Sequence, residues 1–186
     1  MTSTEQVIQQ TKKWILDVVI GCNFCPFAAK VLKQDAVEYK VETSADMGEC
    51  LGSFIKQCIR MDDEPGIETA FIIFPYSFEQ FDDYLELVSL AESLIAKEDY
   101  EGIYQVASFH PQYRFAEAPV SDAANYTNRS VYPMLHILRE ESIEKALEKY
   151  PDPDEIPGRN INFAREKGVA YMKMLRDACI KKSIDE

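Results

Sequence analysis

Residues 70–74 are the stretch that most constrains the fold, because Ala-Phe-Ile-Ile-Phe is apolar at every position. A strand with one face in water alternates apolar and polar side chains, whereas a strand covered on both faces does not. The stretch therefore predicts a central strand with helices on both sides of its sheet.

The segments around this strand alternate between two kinds of periodicity. Strands are predicted at 37–43, 70–74 and 103–109. Amphipathic helices separate them, because apolar residues recur there every three to four positions. This order predicts a single α/β domain over residues 1–186, with a small, mainly parallel sheet of about three strands packed with amphipathic helices.

The two ends of the chain are predicted to be helical. Residues 4–20 carry one apolar face and end at Gly21, and residues 161–179 show a similar pattern. Glycine is a common helix stop signal. Both helices are expected to pack their apolar faces against the sheet.

The stretch 104–140 is where we expect a functional site. It holds both histidines of the chain, and residues 111–133 show little helical or strand periodicity. Loops of this length are usually functional or disordered, and the aromatic content argues against disorder. An ordered cover loop, whose polar side chains bond to the backbone, is the alternative.

His110 directly follows the third predicted strand, and Pro75 follows the second. The carboxyl ends of parallel strands meet at one edge of a sheet, where ligands bind in open α/β proteins. Beyond the loop, a helix is predicted to begin at Ser130 or Pro133. The helix would carry three polar residues on one face, namely His136, Arg139 and Glu140.

Cysteine usage predicts a reduced, cytoplasmic protein, because five scattered cysteines do not form a secreted disulfide framework. Pro26 is well placed as the first residue of a short helix, and the start of a helix favours a thiolate at Cys25. A buried structural Cys25 is the alternative. The Cys22–Cys25 spacing also suggests a redox dithiol or half a zinc site, but a helix precedes it and no second pair follows.

The formal net charge of −12 makes non-specific binding to nucleic acid or to an anionic membrane unfavourable. The sequence also has no apolar run approaching the ~20 residues that span a bilayer. We therefore expect neither nucleic acid nor membrane as a partner. The sequence does not indicate an oligomeric state.

Three segments are specific enough to suggest a family: 21–28 (GCNFCPFA), 107–115 (ASFHPQYRF) and 125–133 (NYTNRSVYP), the last followed by His136 and residues 138–140. Together they resemble the bacterial domain-of-unknown-function 1415 family over nearly the whole chain. Typical members of that family carry Leu at the positions of Cys22 and Phe24, which weakens the dithiol and zinc interpretations. The resemblance implies no established activity or catalytic residue.

The interpretation that we favour is a cytoplasmic enzyme acting on a small anionic metabolite, in a pocket built from residues 108–140 and Cys25. Arginine pairs bidentately with carboxylate or phosphate, and a thiol nucleophile needs a histidine base with an orienting group. The expected catalytic residues are Cys25, His110, His136 and Glu140. The expected ligand-binding residues are Tyr113, Asn128, Arg129, Ser130 and Arg139.

Two further functions stay open. His110 and His136 could hold zinc or another divalent metal, with Cys25, Glu140 or Asp122 as a third ligand. Alternatively, the protein is a non-catalytic ligand-binding or protein-interaction domain that presents the aromatic residues of the loop. For Arg139 and Glu140, an ion pair on the helix surface is the alternative interpretation.

Overall fold

The computed structural model describes residues 2–148 and 150–181. Its α-helices are α1 (Thr4–Trp14), α2 (Ala28–Lys33), α3 (Met47–Asp63), α4 (Phe81–Lys97), α5 (Glu140–Leu147) and α6 (Ile156–Asp177). Its strands are β1 (Val37–Val41), β2 (Thr69–Ile73), β3 (Tyr104–Phe109) and β4 (Met134–Arg139). A π-helical segment (Ile15–Ile20) extends α1, and short 3-10 turns lie at Ala123–Thr127 and Pro153–Glu155.

The four strands of the described chain form one mixed sheet in the order β1-β2-β4-β3. β1 pairs with β2 in parallel, whereas β4 pairs antiparallel with both β2 and β3. The α/β class is confirmed, and the three predicted strands run in one direction. The prediction of three mainly parallel strands was wrong in detail, because a fourth strand of opposite direction separates the second from the third.

β4 occupies the stretch for which the sequence predicted a helix. Its apolar residues face both sides of the sheet, so the alternation of a half-buried strand is lost and the spacing of Leu135 and Leu138 resembles that of a helix. The correction changes the expected site. In a strand, His136 and Arg139 lie on opposite faces of the sheet instead of sharing one helical face.

The face of the sheet that packs against α3 and α4 is dry. Ala70, Ile72, Leu135 and Ile137 on this face have no accessible surface. The helices cover it with apolar side chains, of which Phe54, Cys58, Met61, Tyr84, Leu87 and Ala91 are also fully buried. We call it the α3/α4 face.

The opposite face packs against α1, the π-helical segment and part of α6, and we call it the α1 face. Ile73 and Met134 are fully buried there, together with Trp14 of α1. Other residues of the same face keep some accessible surface, among them Tyr39, Ala107, Phe109, His136 and Leu138. The α1 face is therefore covered less completely than the α3/α4 face.

Two glycines shape the helices that cover the α1 face. A Cβ at Gly21 would collide with the backbone oxygen of Asp17, so the π-helical segment ends at a residue without a side chain. Gly168 has φ +79° and breaks α6 into two helical parts. Among the described residues, no helix combines the length and the apolarity needed to cross a membrane.

The hydroxyl of Tyr84 ties α4 to the sheet through two hydrogen bonds, and its removal is expected to lower the stability of the fold. The buried hydroxyl donates to the carbonyl of Met134 at 2.7 Å and accepts from the amide of Phe109 at 2.9 Å. Tyr84→Phe leaves both backbone groups without that partner, which is expected to cost about 1–3 kcal/mol. The free energy of unfolding, measured with urea, checks this value.

Tyr171→Phe is the matched control for this measurement. Tyr171 is 39% exposed, and its hydroxyl has no hydrogen-bond partner within the described ranges. Its loss is expected to change the stability by less than about 0.5 kcal/mol. Equal losses in the two variants would contradict the role given to the Tyr84 hydroxyl.

Candidate functional site: an arginine-lined cleft

His110 anchors the loop that follows β3. Its ring is fully buried, with Nε2 lying 2.8 Å from the carbonyl oxygen of Phe78 and Nδ1 accepting from the amide of Gln112 at 3.0 Å. An amide only donates and a carbonyl only accepts, so the proton lies on Nε2. Burial lowers the pKa of His110 below its ordinary value. The residue is therefore a neutral side chain with both nitrogens occupied.

The hydrogen bond from His110 holds an unusual turn in place. Phe78 has φ +58°, a conformation that is a genuine outlier for a bulky side chain. Gln112 adds a second bond, from its side-chain amide to the carbonyl of Glu79 at 3.2 Å. The start of the loop is thereby fixed against the segment that leads into α4.

The rest of the loop is ordered by its own polar side chains. Asn125 is fully buried and bonds to the backbone at Phe115 and Pro119. Asn128 donates to the carbonyl of Ser108 at 3.2 Å, and Ser130 donates to the carbonyl of Tyr132 at 2.5 Å. Two of the predicted ligand-binding residues, Asn128 and Ser130, thus bond to the backbone, as an ordered cover loop would require.

A cleft of about 420 Å³ opens between the loop and the start of α4. Its lining includes three arginines, Arg114, Arg129 and Arg176, which come from the loop and from α6. Gln80, Asp82 and Gln112 also line it. Apart from Asp82, these polar side chains are cationic or neutral, so the cleft suits an anion.

Arg129 is the most unusual of these arginines. It is 8% exposed and donates to the carbonyls of Tyr113 and Val120, each at 3.0 Å. Its guanidinium also lies 4.8 Å from the centre of the Tyr126 ring. No carboxylate among the described residues pairs with it, although buried charges are normally paired.

Arg176 lies on the same aromatic ring but has a carboxylate partner. Its guanidinium is 5.4 Å from the centre of the Tyr126 ring, and it pairs with Asp177 at 2.6 Å. A further bond to the carbonyl of Pro111 at 2.9 Å ties α6 to the loop. Tyr126 thus holds two guanidinium groups at the cleft, of which only the one on Arg176 has a counter-charge.

Arg139 and Glu140 lie away from the cleft. Arg139 donates to the carbonyls of Ile67 and Met61 and to the hydroxyl of Tyr104, at the α3/α4 face. Glu140 begins α5, and within the described chain it forms no ion pair with Arg139. The structure thus separates these two residues from the rest of the predicted site.

His136 lies on the α1 face of the sheet. Its Nε2 is 2.6 Å from the hydroxyl of Thr69, which itself lies 2.6 Å from the carbonyl of Ile137. The hydroxyl proton is given to that carbonyl, so His136 Nε2 carries the proton and Nδ1 keeps its lone pair. The ring stacks on Phe71 at 3.9 Å, and burial lowers the pKa of His136 to about 3.

The two histidines do not meet. The ring of His110 packs against Phe81 and Tyr84 of α4, whereas His136 lies on the other face of the sheet. Within residues 2–148 and 150–181, no three His, Cys, Asp or Glu side chains come close enough together to hold a metal ion. The geometry therefore offers no set of ligands around the predicted metal pair.

Cys25 is also outside the cleft lining. It lies half-buried in the turn before α2, which begins at Ala28 and not at Pro26. The flanking backbone is tied to α6, because the carbonyls of Asn23 and Phe24 accept from Arg159 and Asn160.

The sequence interpretation missed several residues of the cleft. Arg114 lies within one of the quoted motifs but has no role in the sequence interpretation, and Gln80 lies directly before α4. Arg176 comes from α6, which packs closely against the 3-10 turn at Ala123–Thr127. No local sequence signal identifies Arg176, since only this long-range packing places it at the cleft.

The lowered pKa values of the two histidines predict that the protein loses stability in acid. Both have a lower pKa in the folded chain than the ordinary 6.5, so below pH 6.5 the unfolded chain binds more protons. Stability therefore falls as the pH drops from 6.5 towards the folded pKa. For His136 the loss between pH 6.5 and 4.5 is expected to be about 2–3 kcal/mol.

NMR titration of the imidazole signals checks this prediction, because the chain has two histidines. In the folded protein, His136 is expected not to titrate near pH 6.5 and His110 is expected to titrate below its midpoint in urea. His136→Gln is expected to flatten the dependence of the unfolding free energy on pH. A folded-state His136 signal with a midpoint near the ordinary value would contradict the neutral, buried ring.

Comparisons with known proteins identify the chain at the level of its family. No curated protein and no solved structure shows a significant match. A family described as "Protein of unknown function (DUF1415)" matches residues 6–174, which confirms the resemblance seen in the sequence. The chain therefore belongs to the DUF1415 family.

Proposed function

We propose that this protein binds a small anionic molecule in the arginine-lined cleft. The observation that carries the proposal is the buried guanidinium of Arg129, which has no carboxylate partner in the described part of the chain. Leaving a buried charge uncompensated is strongly unfavourable. A carboxylate or phosphate group in the cleft would supply the missing counter-charge.

The hydrogen bonds of Arg129 leave room for such a ligand. Nε and Nη2 are used by the backbone carbonyls of Tyr113 and Val120, and Nη1 has no partner among the described residues. Arg114 is exposed and lines the same cleft. An anion between Arg129 Nη1 and Arg114 would receive charge-assisted hydrogen bonds from two sides.

The amide side chains of Gln80 and Gln112 would add neutral donors at the rim of the cleft. Asp82, the one carboxylate among the described residues of the lining, would repel a ligand with many charges. A molecule with one or two anionic groups and a polar remainder therefore fits the lining best.

The geometry supports binding better than the enzyme that the sequence favoured. Cys25, His136 and Glu140 are absent from the lining, and both nitrogens of His110 are occupied. Catalysis by these groups would need a reactive atom facing the ligand. We therefore propose that the protein binds a ligand in this cleft.

A protein-interaction surface is less well supported. The aromatic residues that could form such a surface are turned inward, since Tyr126 is 4% exposed and Tyr113 and Phe115 are half-buried. Protein interfaces usually present exposed aromatic anchors instead. The concave shape of the cleft favours a small ligand.

Calorimetric titration with inorganic phosphate, pyrophosphate and citrate tests the proposal. At least one of these anions is expected to bind, and Arg114→Gln is expected to weaken that binding by about tenfold, equivalent to about 1.4 kcal/mol. Arg114 suits the test because its side chain has no hydrogen bond or ion pair with the described residues. Its substitution should therefore leave the fold unchanged.

Arg60→Gln is the matched control. Arg60 is a half-exposed arginine on α3 that pairs with Glu38 and lies outside the cleft. Its loss removes the same charge from the protein without changing the lining. Equal weakening in both variants, or no binding of any of the three anions, would contradict the proposal.

A further inference from the structure

The arginine-lined cleft carries charges of both signs, and they come from different elements of the fold. Asp82 belongs to the first turn of α4, whereas Arg114 and Arg129 belong to the loop that follows β3. All three side chains line the same space of about 420 Å³. None of the ion pairs between described residues joins Asp82 to either arginine. A ligand in the cleft therefore meets a carboxylate on the α4 side and guanidinium groups on the loop side.

The unpaired charges of the lining specify the charges of the ligand that fits best. Arg176 already pairs with Asp177 at 2.6 Å, so its charge is compensated within the chain. In the part of the chain that the structure describes, Arg114 and Arg129 have no carboxylate partner and Asp82 has no cationic partner. Two unpaired positive charges and one unpaired negative charge are balanced by a ligand with two acid groups and one ammonium group.

Two amide side chains on the α4 side supply further acceptors for an ammonium group. Gln80 directly precedes α4, and its side chain does not cap the helix. Gln112 donates from Nε2 to the carbonyl of Glu79 at 3.2 Å, and its side-chain oxygen has no partner within the described ranges. An ammonium group has three N–H donors and no acceptor. The carboxylate of Asp82 and these two amide oxygens match that set of donors.

The position of Asp82 also gives it a role in the helix, which a test must separate from binding. A carboxylate in the first turn of a helix is stabilised by the helix dipole. Asp83 lies in the same turn of α4 and has the same advantage, but it does not line the cleft. The dipole therefore acts on both residues, whereas a ligand in the cleft meets Asp82.

We propose that the cleft binds an amino acid that carries a second acid group. Its ammonium group pairs with Asp82, and its two acid groups pair with Arg114 and with Nη1 of Arg129. The inference rests on the proposed anion site and names the class of anion that the site takes. An acid without an amine would leave Asp82 facing only negative groups. A simple amine would leave the buried guanidinium of Arg129 uncompensated.

Calorimetric titration with two matched pairs of acids at pH 7 tests the inference. Glutamate and glutarate share their carbon chain and their two carboxylates, and the ammonium group is present in glutamate alone. Aspartate and succinate form the second pair. At least one amino acid is expected to bind about fivefold more tightly than its amine-free counterpart. The expected factor is modest because Asp82 is exposed, and ion pairs at exposed positions are screened by water.

Substitution of Asp82 supplies the second arm of the experiment. Asp82→Asn keeps the shape of the side chain and removes its charge. The preferred amino acid is expected to bind this variant about fivefold more weakly, and its amine-free counterpart to bind equally well or more tightly. Asp83→Asn is the matched control, since it removes the same charge from the same helical turn outside the cleft. Binding by the control should equal that of the natural chain.

The outcomes separate this inference from the proposed function. Equal binding of both members of each pair, weakened by Arg114→Gln, would overturn the inference and leave the anion site intact. A preference for the amino acid that persists in Asp82→Asn, or that Asp83→Asn also removes, would overturn it too. Binding of none of the four acids would have the same meaning, and the proposed function would fall with it only if phosphate, pyrophosphate and citrate also failed to bind. If Asp82→Asn does not fold, the matched acids measured on the natural chain decide the question.

Discussion

The pairing of β4 with two neighbours is the constraint on which the rest of the structure depends. β4 takes its backbone hydrogen bonds from β2 on one side and from β3 on the other. Because β3 and β4 are antiparallel neighbours, the connection between them begins and ends at the same edge of the sheet. Residues 110–133 therefore fold back over that edge, and the cleft forms where they meet the start of α4 and the end of α6.

A loop of this length needs partners for its backbone, and its polar side chains provide most of them. His110 fixes the entry of the loop, and Asn125 and Arg129 fix its middle. Buried backbone groups are nearly always satisfied in folded proteins, so these side chains are required by the loop itself. One consequence is that a conspicuous polar motif can serve folding. After its two bonds to backbone carbonyls are formed, Arg129 still has no carboxylate partner among the described residues.

The sequence predicts much of the scaffold and less of the site, for a physical reason. The segments at 37–43, 70–74 and 103–109 are correctly identified as strands, because their patterns are determined locally. β4 is missed because His136 and Arg139 interrupt its apolar residues, so that the spacing of Leu135 and Leu138 resembles that of a helix. The position of Arg176 beside Tyr126 depends on the packing of α6 and has no local signature. The role of each histidine likewise depends on which side of the sheet its ring packs against.

The charge of the chain bears on how an anion would reach Arg129. With a net charge of −12, the protein repels an anion at long range, so the cleft gains nothing from electrostatic steering. At short range the attraction between the anion and Arg129 outweighs this repulsion, because interactions at a buried guanidinium are screened less than those between exposed charges. Added salt weakens the long-range repulsion more than the local pairing. An anion held by Arg129 should therefore dissociate at a rate that depends little on ionic strength, while its rate of association rises with salt, opposite to the behaviour of a ligand guided by surface charge.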